Sequence, residues 1–354
     1  MIPLAEVLRR HWPAYQRQFS PQILPSHRRA VQCILACRTR ALGGEVYRCG
    51  DCQQEHFVYH SCNHRACPQC GHAEATAWIE EQRLKLLPVP YYLITFTVPE
   101  GLRPWLRSHQ KQGYAGLLRE SASALQDVAG RPQYLGAQIG CLSVLHTWGR
   151  QLQYHPHVHC VVPAGGLRED GLRWLRPKSP DFFLPQSVLA ARFRNRLKAA
   201  LLQEQPATFL QIPASVWRQQ WVVDVQPVGS GETALKYLSA YVTRTALGNQ
   251  RILRDEAGQI TFKYKDSHHQ QWRTLTLAAS EFLRRFLQHV LPKGFQRVRY
   301  YGWLGPAAKT RWQRILALLD WQPPMRMVTP QPQPLCPRCG RALCWLGTLE
   351  RAPP

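Results

Sequence analysis

The chain has 354 residues, enough for two or three domains, and its 45% hydrophobic content is that of a globular protein. Its 45 Lys and Arg residues against 22 Asp and Glu residues give a formal net charge of +23, which favours a polyanionic partner, above all nucleic acid. No apolar run reaches the ~20 residues of a membrane span, and MIPLAEVLRRHW at the N-terminus lacks the apolar region of a signal peptide. We therefore expect no membrane partner and a protein that stays where it is made.

The first 70 residues hold seven of the twelve cysteines. A reducing compartment keeps thiols free, so cysteines at this density are more typical of metal ligands than of disulfides. Cys49-Gly-Asp-Cys52 is followed 14 residues later by Cys67-Pro-Gln-Cys70, and two such pairs supply four thiolates for a tetrahedral Zn²⁺ site. The sequence predicts one structural zinc bound by Cys49, Cys52, Cys67 and Cys70.

Two further cysteine-bearing groups are open to more than one interpretation. Cys37, His56 and Cys62 could hold a second zinc with one more ligand, or the histidines between the Cys pairs could lie on a basic loop that faces DNA. Near the end of the chain, Cys336-Pro-Arg-Cys339 with Cys344 is half of a zinc ribbon without an obvious fourth ligand.

Strand and helix patterns follow one another from residue 73 onwards. Runs of β-branched and aromatic residues predict strands, and apolar residues at helical spacing predict helices. In chain order these are helix 73–87, strand 90–99, helix 102–128, strands 139–148 and 157–166, helix 186–205, strand 216–227 and helix 232–247. Cys141 and Cys160 lie on two of the strands and are predicted core thiols. Because no strand–helix unit repeats, we expect an α+β fold with an antiparallel or mixed sheet and flanking helices.

Three histidines alternate along the predicted strand YHPHVHCVV, residues 154–162. Alternate residues of a strand project to one face, so the imidazoles of His155, His157 and His159 can converge on one ion while Val158 and Cys160 pack into the core. A solvated strand face could carry the same residues. Three alternating histidines are rare by chance in a chain with 14 histidines, and metal or phosphate chemistry is the favoured interpretation.

The predicted helix 232–247 carries two tyrosines in the stretch KYLSAYVTR. Tyr237 and Tyr241 are four residues apart and therefore neighbours on one helix face, which Lys236 and Arg244 make basic. On its own such a pair is more typical of packing. A phenol has a pKa of about 10 and needs a metal-polarised phosphate, or cations that stabilise phenolate, before it can attack. This chain could supply both.

The densest basic zone lies between Arg273 and Arg314, where nine basic residues stand against one acid, Glu281. A Pro-rich stretch, residues 322–334, then predicts an extended linker to the cysteine-bearing tail. We expect a zinc-binding DNA-recognition domain at 1–85, a catalytic domain with the tyrosine helix at 88–250, a basic DNA-binding region at 251–321, and linker plus tail at 322–354. The candidate contacts to DNA are Lys236, Arg244, Arg284, Arg285, Arg297 and Arg299.

The combination of HPHVH with YLSAY, preceded by the block CRTRALGGEVYRCGDCQQEHFVYHSCNHRACPQC, resembles the two-tyrosine HUH transposases of rolling-circle insertion sequences, the insertion-sequence-ninety-one group. The resemblance covers about residues 20 to 305 and includes FLRRFLQHVLPKGFQRVRYYG. It implies an HUH endonuclease-type α+β domain behind a small zinc-binding domain. The two histidines of the motif fall on His157 and His159, and the nucleophiles fall on Tyr237 and Tyr241.

The resemblance also implies an activity, namely cleavage and strand transfer of single-stranded DNA. Two histidines and a third polar ligand would hold Mg²⁺ or Mn²⁺ beside the scissile phosphate. One tyrosine would form a 5′-phosphotyrosine and free a 3′-OH, and the second tyrosine would allow a second cleavage while the first adduct persists. The implied partners are the single-stranded ends of a mobile element and target DNA, in the cytoplasm and nucleoid of a bacterium.

The third ligand of that metal site is open between two histidines. His155 shares the strand face of His157 but is constrained by Pro156. His146 lies on the preceding strand, where a simple hairpin register would present Thr147 instead. Imidazole ligands suit Mn²⁺ better than Mg²⁺, so the identity of the ion depends on the resemblance.

Three functional interpretations compete. The first is the rolling-circle transposase. A replication initiator or relaxase of the HUH superfamily would share the nuclease chemistry and differ in the DNA that flanks its gene. A zinc-ribbon DNA-binding regulator would have no catalysis, and metal-dependent covalent attachment to DNA would exclude it. The sequence indicates neither the DNA sequence recognised nor the oligomeric state.

Overall fold

The structure, a computed structural model, describes residues 2–179, 182–242, 245–266, 269, 271–325 and 333–352, without the side chains of 71–75 and 237–242. Its helices are α1 Leu4–Phe19, α2 Pro25–Ala36, α3 Gly71–Arg83, α4 Arg103–Ser108, α5 Gln110–Ala129, α6 Gln186–Glu204, α7 Pro206–Phe209, α8 Ala214–Arg218, α9 Gly231–Val242, α10 Ala279–Leu287 and α11 Lys309–Leu318. Its strands are β1 Gly44–Cys49, β2 Glu55–Tyr59, β3 Tyr91–Thr97, β4 Gly140–Trp148, β5 Tyr154–Pro163, β6 Gly166–Leu167, β7 Trp174–Leu175, β8 Val222–Gly229, β9 Ile252–Glu256, β10 Gln259–Lys265, β11 Trp272–Ala278, β12 Val298–Gly302 and β13 Leu343–Leu349.

A five-stranded antiparallel sheet in the order β12-β4-β5-β3-β8 forms the centre of the protein. Its strands are rich in the β-branched and aromatic residues that favour a pleated, buried surface. One face packs against α5 and α6, where Cys141, Val158 and Cys160 are buried with Leu117 and Phe193. The predicted core positions of the two thiols are confirmed. So is the α+β class, with antiparallel sheets and flanking helices.

The other face of the central sheet is covered at one end by α9 and α3. Val144 and Val161 form an apolar cluster there with Ala234 of α9, and Trp78 of α3 packs against it. Farther along the same strands this face becomes polar. His159 of β5 pairs with Val144 of β4, so its side chain projects to the same face as that of Val144. The histidines therefore lie where an apolar, helix-covered surface ends.

The N-terminal helices pack on a second body, made of the sheet β11-β10-β9 and α10. Leu8 of α1 and Ile34 of α2 are buried in one cluster with Phe262 of β10 and Phe282 of α10. A third sheet, in the order β13-β1-β2, pairs the C-terminal tail with the cysteine-rich region. Segments far apart in sequence thus build both of these units.

Two segments differ from the sequence expectation. The predicted strand 216–227 begins as the short helix α8, which Pro213 precedes and which buries Val216 and Trp217, and β8 starts only at Val222. Pro is well suited to helix starts because it lacks an N–H that the helix would leave unpaired. The strand β12, which lies within the predicted basic region 251–321, is an edge strand of the central sheet. Among the residues that the structure describes, no helix is both long and apolar enough to cross a membrane.

An ion pair fixes α1 to β9. Asp255 is 7% exposed, and its carboxylate lies 2.7 Å from His11 Nε2 and 2.9 Å from an Arg10 guanidinium nitrogen. We predict that Asp255→Ala lowers the free energy of unfolding by about 1 to 3 kcal/mol, because it leaves the side-chain donors of Arg10 and His11 without their carboxylate acceptor. Chemical denaturation would measure the loss. Glu256→Ala, at the exposed neighbouring position, should change stability by less than about 0.5 kcal/mol, and equal losses in both variants would contradict the prediction.

Candidate functional site

Three histidines of neighbouring strands form a compact group. His146 on β4 and His157 and His159 on β5 bring ligand nitrogens within 4.8 Å of one another. The Nε2 atoms of His157 and His159 are 3.1 Å apart, and their rings stand at 85° to each other. Two nitrogens that bind one ion at about 2.1 Å can be at most about 4.2 Å apart. The spacing of the two Nε2 atoms fits a shared metal ion.

Hydrogen bonds orient the two imidazoles of β5. His157 Nδ1 lies 2.7 Å from the backbone carbonyl of His155, and His159 Nδ1 lies 3.0 Å from Thr95 Oγ1 on β3. A proton on each Nδ1 leaves a lone pair on each Nε2, which is the form that binds a metal. Burial lowers the pKa of His157 to about 4 and the pKa of His159 well below its usual value. Both rings are therefore neutral at pH 7.

An irregular pairing of β4 with β5 brings His146 to this face. Trp148 lies opposite Tyr154, whereas His146 lies opposite His157, so between these pairs one residue of β4 stands against two of β5. A β-bulge of this kind shifts the register by one residue and exchanges the faces of a strand. His146 therefore takes the place that a simple hairpin register would give to Thr147.

His155, the other candidate third ligand, is not part of the group of three among the described residues. It lies in the irregular stretch before His157, and its ring is tilted by 46° against the ring of His157 at a centroid distance of 5.2 Å. Its backbone carbonyl, rather than its ring, acts on the site by orienting His157.

The side chains of Tyr237 and Tyr241 lie outside the described residues, and so does Arg244 altogether. The helix that carries both tyrosines, α9, is described. It begins where Ala234 is buried against the central sheet, and Ala246, beyond its end, lines a pocket with Trp148. The ring of Trp148 stacks on His146 at 4.9 Å. The chain segment that contains α9 therefore starts over the histidine-bearing face and continues beside His146.

The four cysteines predicted as one zinc site are not gathered by the structure. Cys67 and Cys70 lie with Cys37 and Cys62, with all four sulfurs within 4.8 Å of one another. The Sγ atoms of Cys37 and Cys70 are 3.2 Å apart. Four thiolates at such spacing fit a tetrahedral zinc. This group combines half of the predicted first site with two of the three residues named for a possible second one.

Cys49 and Cys52 lie in a different group, with Cys336 and Cys339 of the tail. The physical reason is the hairpin that follows them. Cys49 ends β1, and the five residues of β2 carry the chain about 16 Å away from that turn before Cys67 is reached. His56, considered above for a second zinc site, lies with the tail group, 3.5 Å from Cys336 Sγ.

Known proteins resemble the chain along most of its length. Residues 140–311 match a family model described as "Putative transposase", and residues 7–98 match a transposase zinc-binding domain. The chain is 38% identical over 321 residues to "Putative transposase y4qJ" of Sinorhizobium fredii, across 85% of this chain and 80% of the relative. It is 31% identical over 324 residues to the transposase for insertion sequence element IS801 of Pseudomonas savastanoi pv. phaseolicola, across 86% of this chain and 75% of the relative.

The chain belongs to the insertion-sequence-ninety-one family of transposases. No solved structure matches it. A transposase acts on DNA, so DNA is a partner of this protein. The matched zinc-binding domain and the cysteine groups support structural zinc.

The transposase has an open cleft of about 790 Å³ lined by arginine and aromatic side chains. Arg297 and Arg299 line it, and the backbone carbonyl of Arg297 accepts a hydrogen bond from Leu145 N, next to His146 in the chain. Arg65 and Arg297 also line the pocket of Trp148, so the cleft and that pocket are neighbours. Its other cationic and aromatic residues are Arg65, Trp78, Arg119, Phe295, Tyr300 and Tyr301.

The other predicted DNA contacts have different surroundings. Arg284 and Arg285 both pair with Glu281, at 2.6 and 2.7 Å. Lys236 is exposed on α9. Sequence reasoning missed Thr95 and Arg65 as parts of sites, and it did not foresee that Cys49 and Cys52 would complete the half ribbon of the tail. Thr95 is the one polar side chain inside the run LITF, and that interruption of an apolar strand is the signal that could have found it.

We predict that His146 and not His155 contributes to metal binding. His146→Ala should weaken Mn²⁺ binding by about 10- to 100-fold, since one ligand of the ion is lost. His155→Ala keeps the backbone carbonyl and should change the affinity by less than about threefold. Titration calorimetry on zinc-loaded protein would measure both dissociation constants. The assignment is wrong if His155→Ala weakens binding and His146→Ala does not.

Proposed function

We propose that the protein is the transposase of a rolling-circle insertion sequence, which cuts single-stranded DNA and transfers it through 5′-phosphotyrosine intermediates on Tyr237 and Tyr241. The observation that carries the proposal is the group of His146, His157 and His159 on the sheet face that α9 covers. Family membership supports transposition as the outcome. The histidines and the tyrosine helix support the way in which the strands are broken.

The donor set fits a divalent cation. The rings of His157 and His159 are neutral and oriented through Nδ1, and His146 lies opposite His157. Mg²⁺ or Mn²⁺ bound there would polarise the scissile phosphate and stabilise charge on the leaving 3′-oxygen. The protein contributes the fixed imidazoles and a site that Trp148 shields on one side.

A tyrosine performs the bond exchange. Its phenolic oxygen loses its proton to solvent and attacks the phosphorus, while the bond from phosphorus to the 3′-oxygen breaks and that oxygen is protonated to a 3′-OH. One phosphodiester is exchanged for another, so the step is reversible, and a 3′-OH can later attack the phosphotyrosine to rejoin DNA without ATP. A second tyrosine can cleave a second site while the first adduct persists.

Helical spacing supports the placement of both nucleophiles. Positions 237 and 241 come three and seven residues after Ala234, so they share the stripe of α9 that Ala234 begins. Ala234 is 1% exposed and packs against the central sheet. Beyond the helix, Ala246 lines a pocket with Trp148, which stacks on His146. We infer that the two phenols work on the histidine-bearing face.

The cleft beside β12 supports a path for a single strand. Arginines neutralise phosphates, and aromatic faces such as those of Trp78 and Tyr300 stack on unpaired bases, a combination typical of single-strand binding. The zinc-bearing region at 1–85 would grip the folded end of the element, and the basic region at 251–321 would follow the backbone. The protein would act at the bacterial nucleoid, where its element and target DNA lie.

Formation of a covalent protein–DNA adduct tests the proposed tyrosine chemistry. With end-labelled single-stranded DNA carrying the element's ends and Mn²⁺, a denaturing gel should show a protein-linked band that EDTA abolishes. The band should survive in Tyr237→Phe or in Tyr241→Phe and vanish in the double variant, because each phenol can act as a nucleophile. His157→Ala should reduce it by at least about 100-fold, since the metal site is broken.

Tyr264→Phe, on β10, is the matched control and should leave the band unchanged. A non-catalytic zinc-ribbon regulator would bind DNA without any adduct, and that result on matched substrate would overturn the proposal. An adduct on replication-origin DNA but not on the element's ends would favour a replication initiator or relaxase.

The salt dependence of DNA binding tests the proposed path of the single DNA strand through the cleft. Arg297→Ala should weaken single-stranded DNA binding and reduce the slope of log affinity against log salt by about 1, because one phosphate contact is lost. Fluorescence anisotropy over a salt series would measure both. Arg194→Ala, on α6 at the opposite face of the sheet, is the control and should leave the slope unchanged. Equal slopes for Arg297→Ala and wild type would remove the cleft from the proposed path.

A further inference from the structure

We propose that the chain holds a second structural zinc in a ribbon whose two halves come from opposite ends of the sequence. Cys49 and Cys52 supply one half, and Cys336 and Cys339 of the tail supply the other. The matched zinc-binding domain spans residues 7–98, so it contains only half of this ribbon. The site is separate from the group of Cys37, Cys62, Cys67 and Cys70.

The four sulfurs have the spacing of a tetrahedral thiolate site. All of them lie within 4.8 Å of one another, and Cys49 Sγ is 3.5 Å from Cys339 Sγ. Thiolates bound to one zinc at about 2.3 Å are about 3.8 Å apart. A disulfide would need about 2.05 Å between two sulfurs, and all four cysteines are free thiols. The arrangement fits one zinc ion.

The two halves have the same backbone conformation, which spacing alone would not require. Gln53 N donates to the carbonyl of Cys49, and Gly340 N donates to the carbonyl of Cys336. Cys49 N donates to the carbonyl of residue 54, and Cys336 N donates to the carbonyl of residue 341, so each first cysteine also bonds five residues ahead. Gln53 and Gly340 both have left-handed backbone, with φ of 55° and 74°. Matching turns present both pairs of thiols in the same way.

The backbone conformation at Gln53 strengthens the argument. A residue other than Gly with positive φ is uncommon because its Cβ crowds the backbone. The turn at Gln53 is therefore held against a local conformational preference, as expected where the turn must fix two ligands. The tail reaches the same conformation with glycine at the corresponding position.

A shared sheet and a flanking histidine complete the ribbon. Strand β13 of the tail pairs with β1 from Gly44 opposite Leu349 to Cys49 opposite Leu343. This pairing delivers the tail cysteines to the turn between β1 and β2. His56 Nε2 lies 3.5 Å from Cys336 Sγ, where an N–H can support a thiolate from outside the ligand shell. The structure thus gives His56 a supporting role.

Metal content of the full-length protein tests the proposal. We expect the Cys336→Ser/Cys339→Ser variant to contain one zinc per chain fewer than wild type by inductively coupled plasma mass spectrometry. Adding Cys49→Ser to that variant should remove no further zinc, because all three residues would serve the same ion. Cys344→Ser is the matched control, since Cys344 belongs to the same tail, is exposed and lies outside the four-cysteine group. It should retain the wild-type zinc content.

An unchanged zinc content in Cys336→Ser/Cys339→Ser would overturn the proposal, and so would iron in place of zinc. A second measurement keeps every cysteine intact. A protease site inserted after Met325, which is 92% exposed, allows the tail to be cut from the folded protein. We expect the cut tail to co-elute with the body on gel filtration and to separate once zinc is chelated. Separation before chelation, or retention after the zinc is gone, would show that this ion does not tie the ends together.

Discussion

The pairing of β4 with β5 is the constraint on which the site depends. A hairpin without the irregularity would put His146 on the buried face, among the residues that pack on α5 and α6. One extra residue in β5 reverses this and sets His146 opposite His157. Pro156 lies in the irregular stretch and has no N–H to give to a regular ladder. Pro156, which limits strand pairing, is therefore adjacent in sequence to His157 of the histidine group.

The two faces of the central sheet have different roles. The face toward α5 and α6 is largely apolar, although it includes the buried Ser143, and supplies the rigidity that fixed ligands require. The face toward α9 is apolar only where Ala234 packs and becomes polar at the histidines. Helix α9 is anchored near its start by Ala234, at the apolar end of this face. In the proposed function the same helix would be both a structural element and the carrier of the two nucleophiles.

Local patterns in the sequence were sufficient for much of the fold. The alternation of His157 and His159, the helix of the two tyrosines and the strands of the central sheet all follow from residues close together in the chain. Pairings between distant segments could not be read in the same way. The sequence spacing of Cys49, Cys52, Cys67 and Cys70 is compatible with a zinc ribbon, yet β2 separates the two pairs in space. The spacing of cysteines in the sequence indicates which residues can bind a metal. The order of the strands in the sheet determines which of them bind the same ion.

The positive charge of the chain has a second consequence for the histidines. A cation that attracts phosphate also opposes protonation of a nearby imidazole. Burial is the larger cause of the lowered pKa values of His155 and His289, and Arg103 and Arg107 lower them further. At both histidines burial and a nearby arginine therefore act in the same direction, toward the neutral imidazole.

That neutrality matters because a carboxylate placed beside the histidines would have the opposite effects. It would raise their pKa values and repel the phosphate that must approach. The metal-binding group on the central sheet consists of His146, His157 and His159, and the two other such groups among the described residues are made of cysteines. An all-imidazole set carries no charge of its own, so a cation bound there would keep its full attraction for a DNA phosphate. The same reasoning explains why the arginines lie along the cleft. Within the ligand group they would compete with the metal ion for its binding site.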